Sequence, residues 1–194
     1  MQIKLKNVRL SFPQLSDAQL EKAKSFDGKP PKYAGEFILP LDTAKDQIEA
    51  VKAAIKNVAA EKWGQKADAI VKGLDASKCC LKDGVKRAKH EGYEGTMYVK
   101  ASNDVRPGLY DSMIDPKTGK VREIGGKENR LYGGCYVNAR IDIYAYHHEK
   151  GGDQVNAKLL GVQFLKDGDA FVGAPTSAPD DFDPSDIGSE DPLM

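Results

Sequence analysis

The sequence predicts a mainly β protein with helical insertions, an α+β chain that ends in a disordered acidic tail. Three observations predict it. Apolar residues recur with period two in about five segments. They recur with the 3.6-residue period in only one long segment. After Gly173 the composition shifts abruptly to Pro, Asp and Ser.

The first strand is expected over residues 2–12. Its apolar positions start at Ile3 and Leu5 and then change phase to Val8, Leu10 and Phe12. Side chains alternate faces along a strand, so a change of phase requires a β-bulge or a sharp bend. Residues 16–32 are polar, contain Gly28, Pro30 and Pro31, and read as a loop or short helix. A second strand is expected over 33–41, with Tyr33, Gly35, Phe37, Leu39 and Leu41 on one face. The one clear helix covers 44–63. Thr43 is its expected cap, Asp46 suits its first turn, and Ile48, Val51, Ile55 and Val58 form its apolar stripe. A shorter helix is expected over 66–72. Alternation returns at 93–102, where Met97, Val99 and Ala101 oppose Thr96, Tyr98 and Lys100. Asp115 to Gly119 form a turn between two short strands. The strongest strand covers 135–148, and a last one, 155–165, follows Gly151-Gly152. Five or so strands with one prominent helix point to a small barrel of the OB type or a related α+β sheet, with the helix packed on it or closing one end.

The strand after Cys135 is the most informative. Val137, Ala139, Ile141, Ile143 and Ala145 make a uniform apolar face. The opposite face carries Tyr136, Asn138, Arg140, Asp142, Tyr144 and Tyr146. Aromatic rings interleaved with a cation suit a single-stranded nucleic acid, whose bases stack on rings and whose phosphates attract Lys and Arg. The bland alternative is that these tyrosines fill a second apolar layer. Further cations lie in two clusters. Lys78, Lys82, Lys86, Arg87 and Lys89 precede Tyr93. Lys117, Lys120, Arg122, Lys127 and Arg130 occupy a turn and a glycine-bracketed segment. A solvated basic surface would look the same residue by residue. The reading therefore rests on the ensemble: Tyr98, Tyr136, Tyr144 and Tyr146 as stacking candidates, and Lys86, Arg87, Lys100, Arg122, Lys127, Arg130 and Arg140 as phosphate contacts.

Charge supports that reading. The chain is formally neutral, with 29 basic and 29 acidic residues. Six of the acids lie in residues 174–194, which hold no Lys or Arg, so residues 1–173 carry 29 basic against 23 acidic groups. A basic body beside an acidic end fits an anionic partner for the body. In the tail, Asp180, Asp181, Phe182, Asp183, Asp191 and Leu193 combine acids with small apolar handles. They are the candidates for docking a partner protein or competing with nucleic acid for the basic surface. Solubilising the chain is the simpler role.

Signals for an enzyme are poor. There is no phosphate-binding glycine loop, no nucleophile elbow, and no zinc spacing among Cys79, Cys80, Cys135, His90, His147 and His148. A metal-dependent nuclease would need carboxylates in a cleft, and Asp104, Asp111, Asp142, Asp167 and Asp169 have no diagnostic spacing. No cofactor or metal is expected. No apolar run is long enough to span a membrane, and three cysteines without a framework fit a reducing, cytoplasmic setting.

Two longer motifs carry a resemblance. One runs from Tyr132-Gly133-Gly134-Cys135-Tyr136 through Asn138-Ala139-Arg140-Ile141-Asp142 to Tyr146. The other is Gly161-Val162-Gln163-Phe164-Leu165-Lys166-Asp167-Gly168-Asp169-Ala170-Phe171. With the opening Val8-Arg9-Leu10-Ser11-Phe12-Pro13, they resemble the single-stranded-DNA-binding proteins of tailed phages and prophages over most of residues 1–173. The resemblance implies an OB-fold core and sequence-tolerant binding of single-stranded DNA. It also implies a role in phage replication, recombination or repair, with no catalytic residues. Residues 1–173 are thus expected to form the binding domain and 174–194 the tail, which would meet phage or host replication and recombination proteins. A strand-annealing recombination protein is the main alternative.

Overall fold

The computed structural model describes residues 1–22, 30–125, 128 and 130–171, without the Lys22 side chain. The acidic tail and Lys127 lie outside the described residues. Among the described residues, eight strands form one sheet: β1 (Gln2–Gln14), β2 (Tyr33–Pro40), β3 (Leu81–Asp83), β4 (Thr96–Asn103), β5 (Gly108–Ile114), β6 (Val121–Glu123), β7 (Tyr136–His148) and β8 (Gly152–Lys166). Their order is β3-β4-β2-β1-β7-β8-β5-β6. A further parallel pairing of β4 with β8, at Ser102 opposite Lys158, closes β1, β2, β4, β8 and β7 into a five-strand barrel. Three α-helices among the described residues join the strands: α1 (Asp17–Lys22), α2 (Lys45–Trp63) and α3 (Ala67–Gly73).

The phase change in β1 is a bulge. Its register against β7 shifts between Leu5 and Val8, and Asn7 takes a φ of +50°. Leu5, Val8 and Leu10 consequently all face the core. The backbone that the bulge leaves without a strand partner is met by α2. The Gln47 side chain accepts from the Lys6 amide at 2.7 Å and donates to the Lys6 carbonyl at 3.0 Å, as a neighbouring strand would. The bulge thereby fixes where the helix docks. Ile48, Val51, Ala54, Ile55 and Val58 of α2 join Leu5, Leu39, Ile141 and Ile143 in one continuous core.

Thr43 does not cap α2. The helix starts after Ala44, with no side chain bonded to its free amides. In β2 the expected single apolar face becomes two buried faces. Phe37 and Leu39 enter the main core, and Ile38 packs with Tyr93, Tyr98 and Phe171 in a second, smaller cluster. The strand ends at Pro40, leaving Leu41 exposed. The turn at residues 115–119 forms as expected, with the Asp115 carboxylate accepting from the Lys117 amide at 2.8 Å and Gly119 at φ +66°.

β7 carries the strongest alternation into the structure. Val137, Ala139, Ile141 and Ile143 are buried to 1% exposure or less, while Arg140 and Tyr144 are exposed. Its pairing with β8 shifts register between Arg140 and Ile141, so the sheet bends there.

Candidate nucleic-acid interface

The outer surface near the β4–β8 closure holds a groove of about 440 Å³. Five strands and a short turn build it. β4 contributes Tyr98, Lys100 and Ser102. β3 lies antiparallel to β4, with Lys82 opposite Tyr98. β2 places Glu36 opposite Lys100. β7 and β8 contribute Tyr144, Tyr146, Asn156 and Ala157. The turn Gly84–Arg87 brings Arg87 over the floor. That turn sits hard against β4: a Cβ on Gly84 would fall 2.2 Å from the Tyr93 carbonyl oxygen, so only glycine fits. The Asp83 carboxylate holds the turn from the other side by accepting from the Val85 amide at 2.9 Å.

The groove is basic and aromatic. Among the described residues lining it, Lys32, Lys82, Arg87 and Lys100 face one carboxylate, Glu36. Glu36 is buried and already engaged. It accepts from Arg87 at 2.9 Å and from the Tyr93 hydroxyl at 2.5 Å. Lys32 pairs with the exposed Asp104 at 3.0 Å. Lys82 donates to the Ala76 carbonyl. Burial, aided by repulsion from Lys100, holds the Lys82 amine below the usual lysine range. Lys100 is exposed and makes no ion pair among the described residues. The Tyr144 and Tyr146 rings stand side by side, with centroids 5.8 Å apart and planes tilted by 35°. The Tyr146 hydroxyl is anchored on Gln154 at 2.9 Å, while Tyr144 is 42% exposed.

Cys79 also lines the groove, beside the buried Cys80. The Cys80 thiol bonds to it, and the Leu81 amide and Lys82 ammonium add to the effect. Against the opposing effect of burial, they bring the Cys79 thiol down to about 6. Cys80 is pushed the other way, by that same hydrogen bond and by burial. A groove with this lining can hold phosphate against its cations and a flat base against Tyr144 and Tyr146.

The residues expected to share one site separate into several places. Tyr98, Lys100, Arg87, Tyr144 and Tyr146 meet in the groove. Tyr98, however, is 4% exposed and packs edge-to-face on Tyr93 at 5.1 Å. Its ring belongs to the second apolar cluster and offers the groove no open face. Lys86 is exposed on the neighbouring turn, outside the lining. Arg140 lies beyond the β8 bend in a separate hollow with Lys4 and Tyr110, and donates to Gln2 at 2.7 Å. Tyr136 is covered by Lys166 and Arg9, 4.7 and 5.7 Å from its centroid.

Arg122 and Arg130 are elsewhere again. Arg122 donates to the buried Asp111 at 2.7 Å and to both oxygens of Glu128 at 3.0 and 2.9 Å. Arg130 lies 4.0 Å from Asp111, 3.9 Å from Asp167 and over the Phe164 ring at 3.9 Å. These guanidiniums hold the β5–β6 side together. Asp104, Asp111, Asp142 and Asp167 each pair with a cation, and among the described residues no three acidic, His or Cys side chains converge as metal ligands. Also among the described residues, no helix is long and apolar enough to cross a membrane.

The sequence reading missed Lys32, Asn156 and Cys79 as groove residues, and placed Lys82 only in a general basic cluster. Short β3 carries too few residues to show alternation, so nothing local marked it as a groove wall.

Residues 1–193 match the family described as Enterobacter phage Enc34, ssDNA-binding protein. A protein called p50, from Acyrthosiphon pisum secondary endosymbiont phage 1, is 38% identical over 198 residues, spanning 100% of this chain and 99% of its own. The solved single-stranded DNA-binding protein from bacteriophage Enc34, in complex with ssDNA, shares 24% identity. Its TM-score is 0.71, over 88% of this chain and 89% of its own. The single-stranded DNA binding protein encoded by bacteriophage T7 shares 11% identity, with a TM-score of 0.54 over 91% and 98% of the two chains. These two likenesses concern the fold; the match over nearly the whole sequence concerns descent. The chain therefore belongs to the phage single-stranded-DNA-binding protein family typified by that of Enterobacter phage Enc34.

Proposed function

We propose that this protein binds single-stranded DNA without sequence preference, along the groove between β3, β4, β7 and β8, and performs no catalysis. The observation that carries this reading is the pairing of two neighbouring tyrosine rings, Tyr144 and Tyr146, with four cations on one open surface. Rings accept any base, because every base has a π-face, and the cations meet phosphates. The family and the fold it shares with a protein solved in complex with ssDNA support the same reading. Lys100, Lys82 and Arg87 are the phosphate contacts and Tyr144 and Tyr146 the stacking platforms. Lys86, Lys127 and Arg140 would extend the basic surface. Such binding serves replication, recombination or repair of phage DNA in the host cytoplasm. The six acids of the tail compete with DNA for the groove and offer Phe182 and Leu193 to partner proteins.

A fluorescence titration with oligo-dT tests the reading. The expected result is binding that weakens steeply with salt and prefers oligo-dT to duplex DNA of equal length. Replacing Tyr144 or Tyr146 with Ala lowers affinity by about tenfold each, the worth of one stacked base. Equal affinity for duplex, or indifference to salt, would sink it. Deleting residues 174–194 is expected to tighten binding at low salt.

A further inference from the structure

Phe12 is set in the surface in a way its sequence position does not require. Leu10 in β1 and Leu15 just after that strand are buried to 1% exposure or less, whereas Phe12 is 46% exposed. Its φ is +45°, a left-handed conformation unfavourable for a residue with a Cβ and rare for an aromatic one. The register of β1 against β2 breaks between Ser11 and Gln14, so the strand bulges where the ring turns outward. A ring needed only for packing has no use for this geometry. Strained residues of this kind persist where the surrounding structure holds them, and they gather at functional sites.

The surroundings of the ring say what it serves. Arg87 lies over one face, 5.0 Å from the centroid, and His90 meets the ring edge-to-face at 5.1 Å. Arg87 is also a wall of the main groove. A hollow of about 230 Å³, lined by Phe12, Glu36, Arg87 and Lys100, continues from that groove along β2. Past Phe12 opens another hollow of about 460 Å³, where Lys89, His90 and Phe171 line the walls. Phe12 thus lines both hollows, and the first of them shares Glu36, Arg87 and Lys100 with the groove that holds Tyr144 and Tyr146.

We infer that Phe12 is a base-stacking platform, and that single-stranded DNA leaving the main groove passes over Arg87 and onto this ring toward Lys89 and His90. The inference rests on the proposed function and extends its track by a second aromatic station on a different strand.

Two variants test it on the full chain with oligo-dT. Asn tolerates left-handed φ well, so Phe12→Asn removes the ring and the strain together. The expected result is an unchanged or higher Tm with an affinity about tenfold lower. A Tm that falls together with the affinity assigns the ring to packing and overturns the inference; so does wild-type affinity. Phe12→Trp keeps a stacking surface. It should bind as tightly as wild type, and its added emission, measured as the difference from the wild-type chain with its single Trp63, should be quenched at saturating oligo-dT. Absence of quenching overturns the inference. If the wild-type chain itself ignores oligo-dT, the parent reading falls and this one with it. If Tyr144→Ala and Tyr146→Ala weaken binding while Phe12→Asn does not, only the Phe12 station is lost.

Discussion

The groove side and the β5–β6 side of the molecule use their cations differently. In the groove, Lys32, Lys82, Arg87 and Lys100 surround one buried carboxylate, and Lys100 pairs with no acid among the described residues. On the β5–β6 side, Arg122 and Arg130 close on Asp111, Glu128 and Asp167. One arrangement leaves positive potential facing solvent, and the other cancels it internally. The difference teaches that a cation's role depends on which acids the fold brings to it. Charge density along the chain does not reveal that.

Reversing the groove charge gives the sharpest contrast. Lys82→Glu combined with Lys100→Glu is expected to weaken oligo-dT binding about a hundredfold at low salt. The double variant should also flatten the dependence of log affinity on log salt by roughly 1.4, from two lost phosphate contacts on a single strand. Fluorescence titrations across a salt series, with circular dichroism to confirm folding, measure both. A slope equal to that of wild type would break the distinction between the two sides.

Arg122→Ala is the mirror experiment. It leaves the buried Asp111 without its closest cation, so the expected result is a Tm several degrees lower with oligo-dT affinity within about twofold of wild type. The pH dependence follows from the same pair. The Arg122 hydrogen bond holds the Asp111 carboxyl below its ordinary value of 3.8, so the pair contributes stability above that value and loses it as the pH falls further. Thermal melts at neutral pH and below pH 4 should therefore show a larger drop for wild type than for Arg122→Ala. An affinity loss at neutral pH would instead move Arg122 into the DNA-binding surface.

A milder effect is expected at Cys79. With its thiol brought down to about 6, it should alkylate with iodoacetamide near neutral pH faster than buried Cys80 or Cys135, whose thiols are raised. Saturating oligo-dT should slow that reaction by a few fold, and peptide mapping would show it. Equal labelling with and without DNA would place the DNA outside the groove.

Much of the frame is legible in the order of residues alone. The apolar phase change in β1 marks a bulge, because a strict two-residue period cannot otherwise be broken without turning core residues outward. The alternation of β7 separates core from surface at every position from Val137 to Ile143. The stripe of α2 places that helix within one residue of its observed start. The site is less legible. Tyr98 and Lys100 alternate with apolar residues as if both faced solvent, yet Tyr98 is seated on Tyr93, a residue that reaches it only through the loop before β4. Phe12 reads as a core position, because the second bulge in β1 leaves no mark in a pattern already broken once.

By itself the sequence determined which residues could pack inward and which kinds of chemistry lay on the outer face, since hydrophobic periodicity is a local property of the chain. It also determined the excess of cations over acids in residues 1–173, which is a matter of composition. Only the tertiary structure decided which outer residues share a surface. Closing the barrel through β4 and β8 brings Lys100 near Tyr144, and the bend opposite Arg140 carries that arginine away from the two tyrosines on its own strand. Curvature and strand order are set by contacts between segments far apart in sequence, and no local pattern encodes them.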